Sequence, residues 1–246
     1  MLAFQSPPDR ASPTTAMPHD HLAKTFDTWA QSGRGDRMEI GHGDVVAQVV
    51  PQLGIRAGDQ SLDLGCGTGW ATRMLAKAAP GAGAVGVDIA PEMVKRAEEL
   101  HSYTIRARYE VAAFEELGLA DAVFSHVFSM EAIYYAPDLD KALAEAFRVL
   151  KPGGRIDLVV DFYAENEPTA GWADTVGTPM LYLSEADWRE HLAQAGFEAT
   201  KTTRVIDSRG TGDEADFEPS PSFPDWATWC AYREAGSLWI HGKKPA

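Results

Sequence analysis

Two cysteines, Cys66 and Cys230, are all that 246 residues contain, too few for a disulfide framework, which sets aside the small cross-linked scaffolds of secreted proteins. Basic residues are also scarce: 22 Lys and Arg stand against 36 Asp and Glu, a formal net charge of −14. Such a surface repels a phosphate backbone, so no nucleic acid is expected as a partner. No apolar run approaches the roughly 18 residues that a membrane helix needs. The amino terminus shows no basic-then-apolar secretory pattern. Neither membrane contact nor export is expected, and a cytoplasmic location is. The acidity fits a saline habitat or an ordinary soluble acidic surface, and the ordinary surface is the reading preferred.

Hydrophobic residues make up 45% of the chain, enough for one sizeable core. Residues 1–18 are rich in Ser, Pro and Ala, without hydrophobic period, and read as a disordered tail. Residues 19–246 read as a single domain. Its first part, 19–54, reads as a helical cap: a helix over His21–Ala30 with Leu22, Phe26 and Trp29 on one face, a break at Gly33-Arg34-Gly35, and a second helix over Val45–Leu53. Strands are then expected at Ser61–Leu64, Ala84–Asp88, Ile105–Val111, Ala122–Phe128 and Arg155–Phe162. Helices are expected between them at Trp70–Ala78, Pro91–Leu100 and Leu139–Leu150. This alternation is the pattern of a parallel sheet covered on both faces. A helix over Ser184–Ala195, opened by a capping-box pair Ser184 and Asp187, precedes two further strands, Phe197–Ile206 and Ser237–Gly242.

The run Leu62-Asp63-Leu64-Gly65-Cys66-Gly67-Thr68-Gly69 puts a glycine turn between the first strand and its helix. A side chain at Gly65 or Gly67 would block the close backbone approach that a bound nucleotide requires. Asp88 follows Gly67 by 21 residues, at the end of the next strand, where a carboxylate can accept hydrogen bonds from both ribose hydroxyls. The dinucleotide fingerprint has G-x-G-x-x-G around a pyrophosphate. Here the spacing is G-x-G-x-G and Asp63 precedes it, an acid that repels a pyrophosphate and suits an ammonium group.

Three runs, Leu62 to Gly69, Asp88-Ile89-Ala90-Pro91-Glu92-Met93 and Arg148-Val149-Leu150-Lys151-Pro152-Gly153-Gly154, resemble in order and spacing the motifs of class I S-adenosylmethionine-dependent methyltransferases. The resemblance spans roughly residues 55–162. It implies a Rossmann-like α/β fold, doubly wound, with a mostly parallel seven-stranded sheet ending in an antiparallel carboxyl-terminal hairpin. It implies S-adenosyl-L-methionine as cofactor. Gly65, Cys66, Gly67 and Thr68 would pass their backbone under its methionine part, Asp63 would hold its ammonium group, and Asp88 its ribose. Ile89 and Met93 would flank the adenine. After the third strand the family often has an acidic residue; here stand Ala112-Ala113-Phe114, so a backbone N–H of Ala113 or Phe114 is the expected substitute. Phe128, Ser129 and Met130 would border the sulfonium and the acceptor.

The expected reaction is in-line methyl transfer to O, N, S or C of a small-molecule acceptor. The segment Ser129 to Asp138 lacks the Asn/Asp-Pro-Pro-Tyr motif of enzymes that methylate nucleobase amines. Candidates for proton transfer are His42, Glu131 and Tyr134, with Tyr135, Asp161 and Tyr163 behind them. A helix cap near Asp44 is the plain alternative for His42. Trp29, Trp172 and Met180 are candidates for the acceptor pocket, His126 for a satisfied core histidine, and Arg34 or Arg37 for a carboxylate partner. Residues 163–183 and 207–236 are expected on the substrate side, the latter as a lid or a packed helix. No metal is expected. The rival readings are a nicotinamide-dependent oxidoreductase, a cofactor-binding protein without turnover, and a methyltransferase acting on protein or transfer RNA. The oligomeric state is not legible.

Overall fold

The computed structural model describes residues 19–246; the stretch 1–18, read above as a disordered tail, lies outside the described residues. Two helices come first, α1 (His19–Gln31) and α2 (Arg34–Val49). Ser32 and Gly33 make the break between them, Gly33 at φ 69°. The second helix thus begins 11 residues before Val45 (45 − 34), and it carries Gly35, Gly41 and Gly43 in its body. Glycine costs a helix interior about 1 kcal/mol relative to alanine, so packing must hold α2. Gly35 shows how: a Cβ there would stand 2.9 Å from Thr68 and 3.0 Å from Met93, so the helix backbone rests directly on the glycine turn and its neighbouring helix.

The sheet contains β1 (Gln60–Leu64), β2 (Gly83–Asp88), β3 (Ala107–Val111), β4 (Phe124–Met130), β5 (Leu150–Val160), β6 (Glu198–Val205) and β7 (Ser237–Lys243) in the order β3-β2-β1-β4-β5-β7-β6. Strands β1 to β5 pair in parallel, and β7 pairs antiparallel with both β5 and β6. The expected architecture is therefore present, hairpin included. The central strands are buried along almost their whole length, with Leu62, Leu64, Val85, Val87, Val127 and Leu158 in one apolar cluster, which is why they read as continuous hydrophobic runs.

Helices α3 (Trp70–Lys77), α4 (Pro91–Glu99) and α5 (Leu139–Val149) cover the parallel part. Pro91 opens α4, and Asp138 caps α5 by accepting from the Lys141 N–H at 3.1 Å. The short α6 (Trp172–Val176), then α7 (Glu185–Gln194) with its Ser184–Asp187 capping box, and α8 (Trp226–Ala235) complete the chain.

Most element ends differ from the sequence reading by one or two residues, and two differences have a visible cause. The fourth strand starts at Phe124 because Ala122 sits at φ 54°, outside the β region, and it continues to Met130. The Lys151-Pro152-Gly153-Gly154 turn is a bulge inside β5: pairing to β4 shifts there, and Gly153, at φ 75°, donates its N–H to the Lys244 carbonyl at 3.1 Å. Within 207–236, residues Trp226–Ala235 form the helix α8, none of whose residues is fully buried.

Candidate active site

The carboxyl ends of β1, β2 and β4 open into a cavity of about 810 Å3, roofed by α1 and α2. Gly65, Cys66, Gly67 and Thr68 form its floor. Gly65 is obligatory, since at φ 72° an added Cβ would lie 2.2 Å from the Ala132 methyl. A Cβ on Gly67 would meet nothing within 4 Å; there it would project into space that a ligand can use. Asp88, at the wall, accepts from the Gly67 N–H at 2.8 Å and the Ala90 N–H at 2.9 Å. Burial raises its pKa to about 6 against those two donors. Ile89, Met93 and Phe114 line the adjoining wall.

Three other expected residues stand elsewhere. Asp63 lies beneath the turn, 1% exposed, and accepts from Thr72 Oγ1 at 2.6 Å without lining the cavity. Burial lifts its pKa to about 7 despite that hydrogen bond. Ala113 gives way to its neighbours Ala112 and Phe114 at the wall. Phe128 is enclosed in the core beside β1, and Met130, on the same strand face but at the strand's end, is the residue that reaches the cavity. The acid thought missing after the third strand is present slightly later as Glu115, which lines the cavity, accepts from the Asp138 N–H at 3.1 Å and lies 3.2 Å from His19 Nε2.

A glycine floor with open space at Gly67 and a ribose-ready carboxylate at Asp88 fit an adenosyl cofactor, and the comparisons agree. A family model described as a methyltransferase domain matches residues 62–158. The 2-methyl-6-phytyl-1,4-hydroquinone methyltransferase of Synechocystis sp. is 30% identical over 236 residues, covering 84% of this chain and 71% of that protein. The chain belongs to the class I S-adenosylmethionine-dependent methyltransferases.

Other relatives extend the picture. A putative methyltransferase solved in complex with the Haloferax volcanii Trm112 methyltransferase activator is 32% identical, with a TM-score of 0.82 over 90% of this chain and 98% of that one. The phosphoethanolamine N-methyltransferase 2 of Haemonchus contortus, solved with S-adenosyl-L-methionine, shares the fold at a TM-score of 0.63 and 21% identity, over 82% of this chain and 52% of that one.

Opposite the glycine floor, the methyltransferase cavity is bounded by Leu22, Phe26 and Trp29 of α1, Met38 and His42 of α2, Met130 at the end of β4, and Glu131 and Tyr135 after it. His42 is in the middle of α2, so it caps nothing; its Nδ1 lies 3.3 Å from Asp161 Oδ2. Burial works against an imidazolium here, but the hydrogen bond and charge of Asp161, with the charge of Glu131, outweigh it and raise the His42 pKa. Glu131 adopts φ 52°, an unusual state for a residue with a side chain. Its carboxylate accepts from the Asp161 N–H and, at 2.8 Å, from the Tyr134 hydroxyl. Burial, and then the charge of Asp161, hold Glu131 well above the usual carboxylate range.

Tyr134 itself faces the core and reaches the cavity only through Glu131; Tyr135 lines the wall in its place. Tyr163 is buried away from the cavity and donates to the Gly236 carbonyl at 2.9 Å. Ligand atoms of His42, Glu131 and Asp161 lie within 4.8 Å of one another, a spacing that could hold a metal. Three of their four carboxylate oxygens already accept hydrogen bonds from the protein's own N–H and O–H groups.

Among the described residues, none of 163–183 or 207–236 lines the main cavity, whereas residues of α1 and α2 do. Trp172 stacks on Phe162 with centroids 6.4 Å apart, and Met180 packs against the core, both away from the cavity. His126 is the satisfied core histidine expected, with Nε2 3.1 Å from the Leu53 carbonyl. The Arg34 guanidinium lies 3.5 Å over the Trp29 ring, and Arg37 is exposed.

Proposed function

We propose that this methyltransferase methylates a small, largely apolar molecule at an ionisable hydroxyl, with His42 as the proton acceptor. The observation that supports it most is the continuity of one cavity from Gly67 and Asp88 to His42 and Glu131 under an aromatic roof. Bound over the glycine floor, S-adenosylmethionine supplies a methyl group on a sulfonium, which leaves as a neutral thioether after in-line attack. Asp88 and Glu115 of the wall favour that cation, and Glu131 does so once it is ionised. Phe26, Trp29, Met38 and Tyr135 offer an apolar surface for a flat or hydrophobic acceptor. No Lys or Arg is among the described residues lining the cavity, which disfavours phosphate-rich acceptors and, with the net charge, nucleic acid.

A hydroxyl must lose its proton as its oxygen is methylated. With Nδ1 turned to Asp161, the Nε2 lone pair of neutral His42 is the base in reach of the cavity. The test is incubation with S-adenosylmethionine and a panel of phenols and alcohols, followed by release of S-adenosylhomocysteine. Turnover of at least one member, cut by about 10²- to 10⁴-fold in His42→Gln, supports the reading. Turnover seen only with protein or RNA acceptors overturns it.

The likeness to a chain solved with the Trm112 activator supports a partner as well: we infer that an activator protein of that class associates with this chain. Co-purification of the two after co-expression is the expected result. Separate elution of two folded proteins contradicts it.

A further inference from the structure

The segment joining β6 to β7 makes no contact with the main cavity, yet it grips the element that carries His42. Arg209 donates to the carbonyls of Ile40 at 2.6 Å and Gly41 at 2.7 Å, the two residues before His42. Ser208 Oγ donates to Asp44 at 2.6 Å, just after it. Asp207 accepts from Arg209 and, at 2.8 Å, from Arg233 of α8, so the two ends of the segment are tied together. From α8, Tyr232 donates its hydroxyl to Asp161 Oδ2 at 2.5 Å, the same oxygen that faces His42 Nδ1. A second, smaller cavity of about 270 Å3 runs along this seam, and His42 borders both.

We propose that Tyr232 and Asp161 are positioning residues, which fix the tautomer and orientation of the His42 imidazole so that Nε2 faces the acceptor. The proposal rests on the reading of His42 as proton acceptor. A carboxylate at Nδ1 keeps the proton there, leaving Nε2 unprotonated in the neutral ring, and it stabilises the imidazolium once the acceptor proton has moved. The Tyr232 hydroxyl holds Asp161 and limits its basicity by sharing the lone pairs of Oδ2. Burial and the neighbouring acids keep that phenol protonated, hence a donor. The charged groups acting on His42 are Asp161 at the end of β5, Glu131 after β4 and Arg209 from the joining segment. Asp207 and Arg233 border the second cavity as a closed pair.

A purely architectural Tyr232 would leave the titration of His42 unchanged. Nitrogen-15 NMR of the histidine-labelled full chain, with His42 assigned by its loss in His42→Gln, reads tautomer and pKa with no acceptor needed. The neutral ring is expected as the Nδ1–H tautomer. Tyr232→Phe, which removes one donor from Asp161, is expected to raise the His42 pKa by about half a unit. Asp161→Asn is expected to lower it, by about one unit or more. Opposite shifts support the assignment. An Nε2–H tautomer in the unmodified protein, or a His42 pKa unmoved by Tyr232→Phe, overturns it, and the tautomer remains readable even where Asp161→Asn fails to fold. Failure of the proton-acceptor reading would show separately, as methylation that persists in His42→Gln while these NMR signatures hold.

Discussion

Gly67 donates its backbone N–H to Asp88 at 2.8 Å, so the carboxylate that would receive the ribose also fixes the turn that would pass under the methionine. The glycine turn and the strand-end acid are one hydrogen-bonded unit. Asp88→Ala should therefore do more than remove a ribose contact, since it leaves the half-buried Gly67 N–H without its partner as well. S-adenosylhomocysteine affinity should fall by 100-fold or more, on the order of 3 kcal/mol for a charge-assisted pair plus an orphaned donor. Isothermal titration measures it, and an affinity within threefold of the unmodified protein would contradict the assignment.

Gly65→Ala tests the steric claim. The added methyl would stand 2.2 Å from Ala132 in a backbone region disfavoured for alanine. A loss of about 2 to 4 kcal/mol in urea unfolding is expected. Gly118→Ala, at φ 64° with open space around it, bears the backbone cost alone and should lose about 1 kcal/mol.

Buried Asp63 gives a pH signature. Its pKa is raised to about 7 in the folded chain by burial; unfolded, it returns to about 3.9. A raised carboxyl pKa contributes stability that is fully present below the unfolded value and is lost as pH rises through the folded one. Asp63→Asn, which cannot ionise, should therefore gain on the unmodified protein between about pH 4 and pH 7.5. Thermal unfolding across that range checks it, and a difference that does not change with pH would show that the carboxyl is not desolvated.

Much of this was legible in the sequence, and the exceptions have physical causes. Gly65, Gly67 and Asp88 could be read because backbone approach and a strand-end acid constrain single positions. Helix α2 was misread because Gly35, Gly41 and Gly43 argue against a helix locally, while close contact with Thr68 and Met93 requires one of them. Phe128 and Met130 share a strand face, so periodicity could not tell which of them reaches the sheet's end. Tyr232 lies 71 residues from Asp161 with no motif between them, and only the hairpin β6–β7 brings the two together.

Glu131 yields a prediction about the two forms of the cofactor. Its carboxyl is held above the usual range by burial and the charge of Asp161, so it ionises late, at the cavity wall. Ionised Glu131 attracts the sulfonium of S-adenosylmethionine and has no such charge to meet in S-adenosylhomocysteine. The affinity ratio of methyl donor to spent product should rise from about pH 6 to about pH 9, and Glu131→Gln should flatten it. Competition binding at several pH values measures the ratio. A ratio that is already flat in the unmodified protein would place Glu131 outside the reach of the sulfonium.

The most direct test of the whole account is a crystal structure of the full chain with S-adenosylhomocysteine. The ribose hydroxyls are expected on Asp88, the adenine between Met93 and Phe114, and the sulfur on the His42 and Glu131 side of the glycine floor. A ligand bound outside this cavity, or one whose ribose has no contact with Asp88, would contradict it.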